Sequence, residues 1–375
     1  MLCDWLPPDF GAVGQYAVGF ASELARGGAD VVLVGFSSTA ATCTEERCGA
    51  GTLRTVRIRR SPLIRSGLAR RAWWTLRANL ALLWGARRYL SGADELRFTG
   101  SPAYLIHFVM PVALMRGLRT RYRITDFHPE CLIAARNGTG LALQALQIVT
   151  NAWRRRVDVI EVLGDDQRRR LVECGVEADR IELRRDPSPV SIAPDCQAAP
   201  KPSAMAGRKA ILYSGNWGEA HDHETFVEGY RRFSAMHPGV ASLWLNATGS
   251  RVAAVVAAME EHGLACVRTP PVPLESLPGV LCAADVHLIT LEDRFVGYVM
   301  PSKVYGCIAS GRPVLFVGSE DSDVHALCRD ALPPARYRRV ATGDPEAVAR
   351  ALAQLLDPAA PVRNGEAHLR TGMET

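Results

Sequence analysis

The sequence predicts an α/β protein of two doubly wound domains, each a parallel sheet with helices on its faces. Three observations carry this expectation. The chain opens with a β-α-β run, a second alternation of short apolar strands and helices begins near residue 209, and residues 186–208 between them read DPSPVSIAPDCQAAPKPSAMAGR, without periodicity. A length of 375 residues exceeds one ordinary core and suits two domains, and 48% apolar with 22% charged residues is a globular composition. The expected divisions are 1–185, a linker at 186–208, a second domain at 209–357 and a tail at 358–375.

The opening reads MLCDWL as a strand, PPDFGAVG as a loop, QYAVGFASELARGG as a helix and VVLVGF as the next strand. Tyr16, Phe20 and Leu24 recur at helical spacing and Gly27-Gly28 ends the helix. Further strands are expected in LRFTG at 96–100, YRITD at 122–126 and VDVIEVLG at 157–164. The stretch ITDFHPE closes one of them with Asp126 and His128. Side chains at a strand's end project towards a cleft, so this pair are candidates to orient an acceptor or shuttle its proton, with a backbone-bonded loop cap as the alternative and Glu130 as a third candidate. The adjacent aspartates of GDDQ at 164–167 read as a helix start.

No basic-then-apolar leader is expected, because MLCDWLPPDF meets acid and proline at once. The longest apolar run, AYLIHFVMPVALM at 103–115, is too short to span a bilayer. The ten cysteines are scattered, and Cys43 to Cys48 suits neither a zinc knuckle nor a redox pair, which points to reduced thiols in a cytoplasmic protein. The net charge of +5 is unevenly placed: residues 51–90 hold ten arginines and no acid, with Trp73, Trp74, Trp84 and Tyr89 interleaved. Residues 54–90 are therefore expected to meet an anionic membrane surface, the 64–90 part as an amphipathic face, against the alternative of a solvated helix with core tryptophans. No nucleic-acid module accompanies the arginines, so nucleic acid is not expected as a partner.

In the second domain strands are expected in AILYSG at 210–215, SLWLNAT at 242–248, ACVRTP from 265, DVHLITL at 285–291 and PVLFVG at 313–318, with helices at about 222–236 and ending near Gly263. GYVMPSKVYGCIASGRPVLFVG carries the chemistry: Pro301 suits a first helical position and Gly311 a helix end, so the helix runs from about 301 to 310. The first-turn amides of Ser302, Lys303 and Val304, with the Lys303 ammonium and Ser302 hydroxyl, suit a phosphate, against the alternative of an ordinary helix start with a solvated lysine. YSGNWGEAHDHETF at 213–226 supplies a second glycine loop at a strand end, and two such loops point to a nucleoside diphosphate. Neither has P-loop spacing and PPDFGAVGQY is not G-x-G-x-x-G, which argues against kinases and dinucleotide oxidoreductases. Gly11 and Gly14 leave room for backbone to approach a phosphate or sugar, or make a tight turn. His223 and His237 read as helix-surface and helix-end residues, and His221, Asp222 and His223 diverge too far to hold a metal.

The element order, the YSGNWGEAHDHETF loop, VPLESLPGVLCAADVHLITL and VMPSKVYGCIASGRPVLFVG together resemble glycosyltransferase family 4, whose fold is GT-B, two Rossmann-like domains facing across a cleft. The resemblance runs from PPDFGAVGQY to about Leu356 and is stronger in the second domain. It implies that Gly215, Asn216, Trp217 and Gly218 lie beneath the donor diphosphate, with His221 near a position where many members have a basic residue. It places Val267 to Pro273, Arg268 among them, along the nucleobase, Ser302, Lys303 and Tyr305 at phosphates and ribose, and Gly11 and Gly14 at the transferred sugar. Many members carry two glutamates eight positions apart, where this chain has Tyr298 and Gly306, and it better resembles a branch with PSK-x-YG in place of the second. That departure leaves the ribose contact unassigned.

The resemblance implies an N-terminal acceptor domain, a C-terminal nucleotide-sugar domain and retention of anomeric configuration in glycan or lipid-linked acceptor synthesis. No Asp-x-Asp motif is present, so no metal or other cofactor is expected beside the nucleotide sugar, and a cytoplasmic protein, peripheral on the inner membrane face, follows. A silent GT-B scaffold in an envelope-assembly complex and a nucleotide-sugar 2-epimerase are the alternatives.

Overall fold

The computed structural model describes residues 1–9, 12–62, 67–136, 140–186, 188, 190–205 and 207–356. Gly11, Arg65 and the expected tail at 358–375 lie outside them. The chain separates into two compact units, Met1–Arg185 and Asp186–Thr375.

In the first unit the order is β1 (Leu2–Trp5), α1 (Ala12–Arg26), β2 (Asp30–Ser37), β3 (Thr42–Cys48), β4 (Gly51–Arg59), α2 (Leu68–Ala86), β5 (Glu95–Thr99), α3 (Ile106–Arg116), β6 (Arg119–Arg123), α4 (Glu130–Arg136), α5 (Leu141–Arg154), β7 (Val159–Val162), α6 (Asp165–Glu173) and β8 (Ile181–Leu183). The sheet runs β3-β4-β2-β1-β5-β6-β7-β8, parallel except for the β3–β4 hairpin. That hairpin went unread in the sequence because the arginines of β4 hide its alternation. Leu53 and Thr55 are buried while Arg54 between them forms an ion pair with Glu45 across the hairpin. The basic stretch at 54–90 is therefore not one surface. Its β4 part is sheet, and Trp74 stacks on Trp5 with centroids 6.4 Å apart and donates its indole N–H to the Ser61 carbonyl.

The second unit follows with β9 (Lys209–Asn216), α7 (Glu224–Met236), β10 (Ala241–Thr248), α8 (Val252–Glu261), β11 (Cys266–Arg268), α9 (Leu277–Cys282), β12 (Val286–Thr290), α10 (Lys303–Ala309), β13 (Val314–Val317), α11 (Asp323–Ala331), β14 (Tyr337–Val340) and α12 (Pro345–Leu355). All six strands are parallel in the order β11-β10-β9-β12-β13-β14. Central strands covered on both faces explain why every residue of β12 and β13 is buried, His287 and Thr290 included. One core joins α7, α8 and α12 to the sheet through Phe226, Tyr230, Phe233, Met259 and Leu352. The aperiodic 186–208 stretch is no free tether: Val190 and Met205 are buried with Trp244 and Leu281 in a second cluster, and the Ala199 amide donates to the Gly279 carbonyl.

In each sheet the chain first builds to one side and then returns to the other. The reversal falls between β1 and β5 in the first unit and between β9 and β12 in the second. Loops leaving the carboxyl ends of strands at such a reversal splay apart, which makes that edge the place where open α/β sheets bind ligands.

Candidate functional site

At the β9/β12 reversal the chain leaves β9 through Gly215, whose φ of +121° admits glycine and strains other residues. A Cβ there would reach the Cε of Lys303 at 3.7 Å, so loop and lysine adjoin. Lys303 is the first residue of α10. As a residue it is half-buried, yet its ammonium is fully covered, lies 3.4 Å from the centroid of the Tyr213 ring and has no hydrogen-bond partner among the described residues. Burial lowers its pKa from 10.5 to about 7, with Cys307 opposing slightly. A cation held by one π face, without an oxygen ligand, is poised for an anion.

His221 closes the inner side. Its Nδ1–H donates to the Thr290 carbonyl at 2.5 Å, which ties the β9 loop to the end of β12, as does the Glu292 amide to the Ala220 carbonyl at 2.8 Å. Burial, then the Lys303 charge, lowers its pKa to about 3. His221 is thus neutral and offers Nε2 as an acceptor; it does not supply the positive charge expected of that position.

Three other expectations need correction. Trp217 is wholly buried, stacked on Tyr213 at 3.8 Å, with its amide given to the Thr248 carbonyl and its indole N–H to the Asp222 carbonyl. It is a pillar under the loop. The Val304 amide is taken by the Pro301 carbonyl at 3.1 Å, because α10 starts at Lys303 and is preceded by a tight turn. Tyr305 is 2% exposed and belongs to the body of α10, whereas Ser302 is exposed beside Lys303. Arg268 ends the edge strand β11, exposed and two strands from β9. Gly306 faces Leu281, whose Cδ1 would lie 3.0 Å from an added Cβ, so a glutamate there would have to displace it.

Sequence reasoning missed Gly249, which follows β10. Its φ is +120°, and a Cβ would come within 2.3 Å of the Trp217 carbonyl oxygen and 2.4 Å of Asn216 Oδ1. The signal was present as the glycine directly after SLWLNAT.

In the first unit Gly14 is a packing residue: its Cβ would stand 1.8 Å from the Trp5 carbonyl oxygen, so it lets α1 lie against β1 and turns no surface to a sugar. Asp126 and His128 follow β6, Asp126 exposed and His128 half-buried. The surrounding protein raises the Asp126 carboxyl and lowers the His128 imidazole, the charge of each partly offsetting the effect on the other. Glu130 is unavailable to an acceptor because Arg154, wholly buried on α5, holds both its oxygens at 2.5 and 3.0 Å. The same guanidinium donates to the His128 carbonyl at 3.2 Å, so a missed arginine fixes this loop. Tyr104, a non-glycine residue at φ +67°, packs its ring 5.8 Å from that of His128.

Among the described residues no three His, Cys, Asp or Glu side chains gather as metal ligands, and no helix is long and apolar enough to cross a membrane. No known family profile matches the chain. A protein named as a colanic acid biosynthesis glycosyl transferase, WcaI of Escherichia coli K12, is 22% identical over 228 residues, 58% of this chain and 55% of that protein. The chain therefore matches about half the length of that relative. Among solved structures, the E. coli trehalose-6-phosphate structure bound with UDP-2-fluoro glucose has a TM-score of 0.63 at 15% identity over 96% of this chain and 91% of that one. Sucrose-phosphate synthase from Thermosynechococcus elongatus gives 0.62 at 16%, covering 95% and 89%. Anabaena Alr3699/HepE in complex with UDP and glucose gives 0.61 at 8%, covering 95% and 89%. The fold is GT-B.

Proposed function

We propose that this chain is a metal-independent, retaining glycosyltransferase that moves a sugar from a nucleoside diphosphate sugar to a glycan or lipid-linked acceptor in surface polysaccharide or glycoconjugate assembly. The observation that carries the reading is the covered, unpartnered ammonium of Lys303 beside the Gly215 loop at a strand reversal. The name of the E. coli relative and the UDP bound in two structures of the same fold support it.

Breaking the sugar–phosphate bond builds negative charge on the departing diphosphate. Lys303, protonated once the diphosphate arrives, stabilises that charge more in the transition state than in the ground state, with the Ser302 hydroxyl and the 215–218 backbone beside it. Arg268 and the following 269–273 stretch run along the nucleobase. On the acceptor side neutral His128 accepts or relays the hydroxyl proton, with Asp126 orienting it, and the departing phosphate is the alternative proton acceptor. The protein acts in the cytoplasm, peripheral to the membrane.

Calorimetric titration with UDP, GDP, ADP, TDP and NAD, with and without magnesium, tests the donor site. Micromolar binding of one diphosphate, unchanged by chelator, followed by turnover of its sugar with retained anomeric configuration by NMR, is the expected result. Failure of all five to bind would leave the silent scaffold as the reading.

A further inference from the structure

Helix α2 is apolar on two sides. Ala78, Leu82 and Ala86 are buried inward, as for any helix on a sheet. Outward stand Trp73, Leu76, Leu80 and Trp84, spaced three, four and four residues apart and so aligned along one line of the helix. Trp73 is 60% and Trp84 67% exposed. Core packing does not explain this second stripe. On α3, which packs beside α2, Met115 is 78% exposed next to Leu114, and on α5, which packs beside α3, Leu141 is 86% exposed with Ile148 outward too. Scattered apolar residues on a surface are ordinary, whereas large ones on three adjoining helices mark an interaction face.

Charge identifies the occupant. The sequences of α2, α3 and α5 contain no aspartate or glutamate, while Arg70, Arg71, Arg77 and Arg116 lie on the first two and Arg87 follows α2. The Arg87 guanidinium lies 3.7 Å over the Trp84 ring, the pairing of a cationic head with an amphipathic ring. Between α2 and α3 an open groove of about 580 Å³ is lined by Leu80, Leu83, Trp84 and Val112 together with Arg87 and Arg116. Apolar depth edged by arginine, with tryptophan at both ends and carboxylates excluded, matches the headgroup-to-acyl boundary of an anionic bilayer.

We infer that the α2–α3–α5 face docks on an anionic lipid surface, with Trp73 and Trp84 at headgroup depth and the α2–α3 groove accommodating an acyl chain. This deepens the transferase reading, because a lipid-linked acceptor is presented at that surface, and it replaces the broad 54–90 stretch with a defined stripe. The test is sedimentation of the full chain with vesicles of phosphatidylcholine, with and without phosphatidylglycerol. Wild-type protein is expected to bind the anionic vesicles at least tenfold more tightly, with the preference lost in high salt. Trp73→Ser/Trp84→Ser should weaken that binding at least tenfold with an unchanged melting temperature, and Arg70→Gln/Arg77→Gln/Arg87→Gln should remove the anionic preference. The inference is overturned by absent wild-type binding, by an unaffected tryptophan variant, or by light scattering in which the tryptophan changes dissolve a dimer, which would make the face a contact between copies. UDP binding measured without vesicles reports the donor site separately, so either reading can fail alone.

Discussion

Nucleotide binding should draw a proton onto Lys303. Free, the ammonium is covered by protein and the Tyr213 ring, with its pKa lowered to about 7. A diphosphate in contact with it would restore the value towards that of an ordinary lysine. At pH 8 the free protein then holds roughly 0.1 proton on Lys303 and the complex close to one, so binding takes up about 0.9 proton per nucleotide. Between pH 7 and 10 affinity should fall about tenfold, or about 1.4 kcal/mol, for each pH step. Calorimetry of UDP, or whichever diphosphate binds, in two buffers of different ionisation enthalpy measures the uptake, and Lys303→Met should abolish it and flatten the pH profile. Stability follows with a definite sign. A lysine whose folded pKa lies below its unfolded one binds fewer protons when folded, so stability rises with pH from about 7 to 10.5. Below pH 7 the native lysine is unfavourable, and the methionine variant should melt higher there, the gap closing near pH 10. Binding with no uptake at pH 8, or uptake that survives in Lys303→Met, would refute the reasoning.

Trp217→Ala removes a fully buried ring under the loop and should cost about 3–5 kcal/mol in urea unfolding, with nucleotide affinity of the folded fraction kept within a few-fold. Gly14→Ala puts a methyl into the Trp5 carbonyl and should destabilise by about 1–3 kcal/mol or more, seen as a lower melting temperature without a selective loss of donor binding. Arg154→Met strands Glu130 in the interior and should cost about 3–5 kcal/mol, whereas Glu130→Leu/Arg154→Met should recover most of it, a coupling that a double-mutant cycle in urea would read. Lys303→Ala should lower turnover about 100- to 1,000-fold, measured as sugar transfer from the matched donor.

Much of this was legible because parallel sheets write plainly. Mostly apolar runs such as VHLIT and VLFV are what a strand covered on both faces favours, and they fall as β12 and β13. The places of the Gly215 loop after β9 and of Lys303 at the start of α10 were legible for the same reason, since a helix opening after a buried strand has a fixed place in such a sheet. The hairpin of β3 and β4 was not, because an arginine between buried residues is satisfied by Glu45, a partner nine positions away in sequence that no local pattern announces. Trp217 and Gly14 were misread in a shared way. A loop's glycine or tryptophan serves either ligand or packing, and only the tertiary neighbour, Tyr213 for one and the Trp5 carbonyl for the other, decides which. His221 shows the limit for charge: the residue type is basic, yet burial and Lys303 leave it neutral.

The second unit divides its labour by depth. At the candidate site the Lys303 ammonium, covered and without an oxygen partner among the described residues, is unfavourable in the free protein, beside the left-handed Gly215 and the neutral His221. Directly beneath, Tyr213 stacks on Trp217 and Phe226 on Tyr230, with Trp217 meeting Phe226 at a tilt of 54° to complete a column of rings, and the β9–β10 ladder continues in register to Asn216 and Thr248. The column is part of the core and packs under the loop. Substitutions should therefore separate by layer: those in the column lower stability and spare the affinity of molecules that remain folded, while removing the lysine charge raises stability and destroys affinity. A polar site that merely decorated the sheet would show neither opposition, because its residues would cost nothing in the absence of ligand.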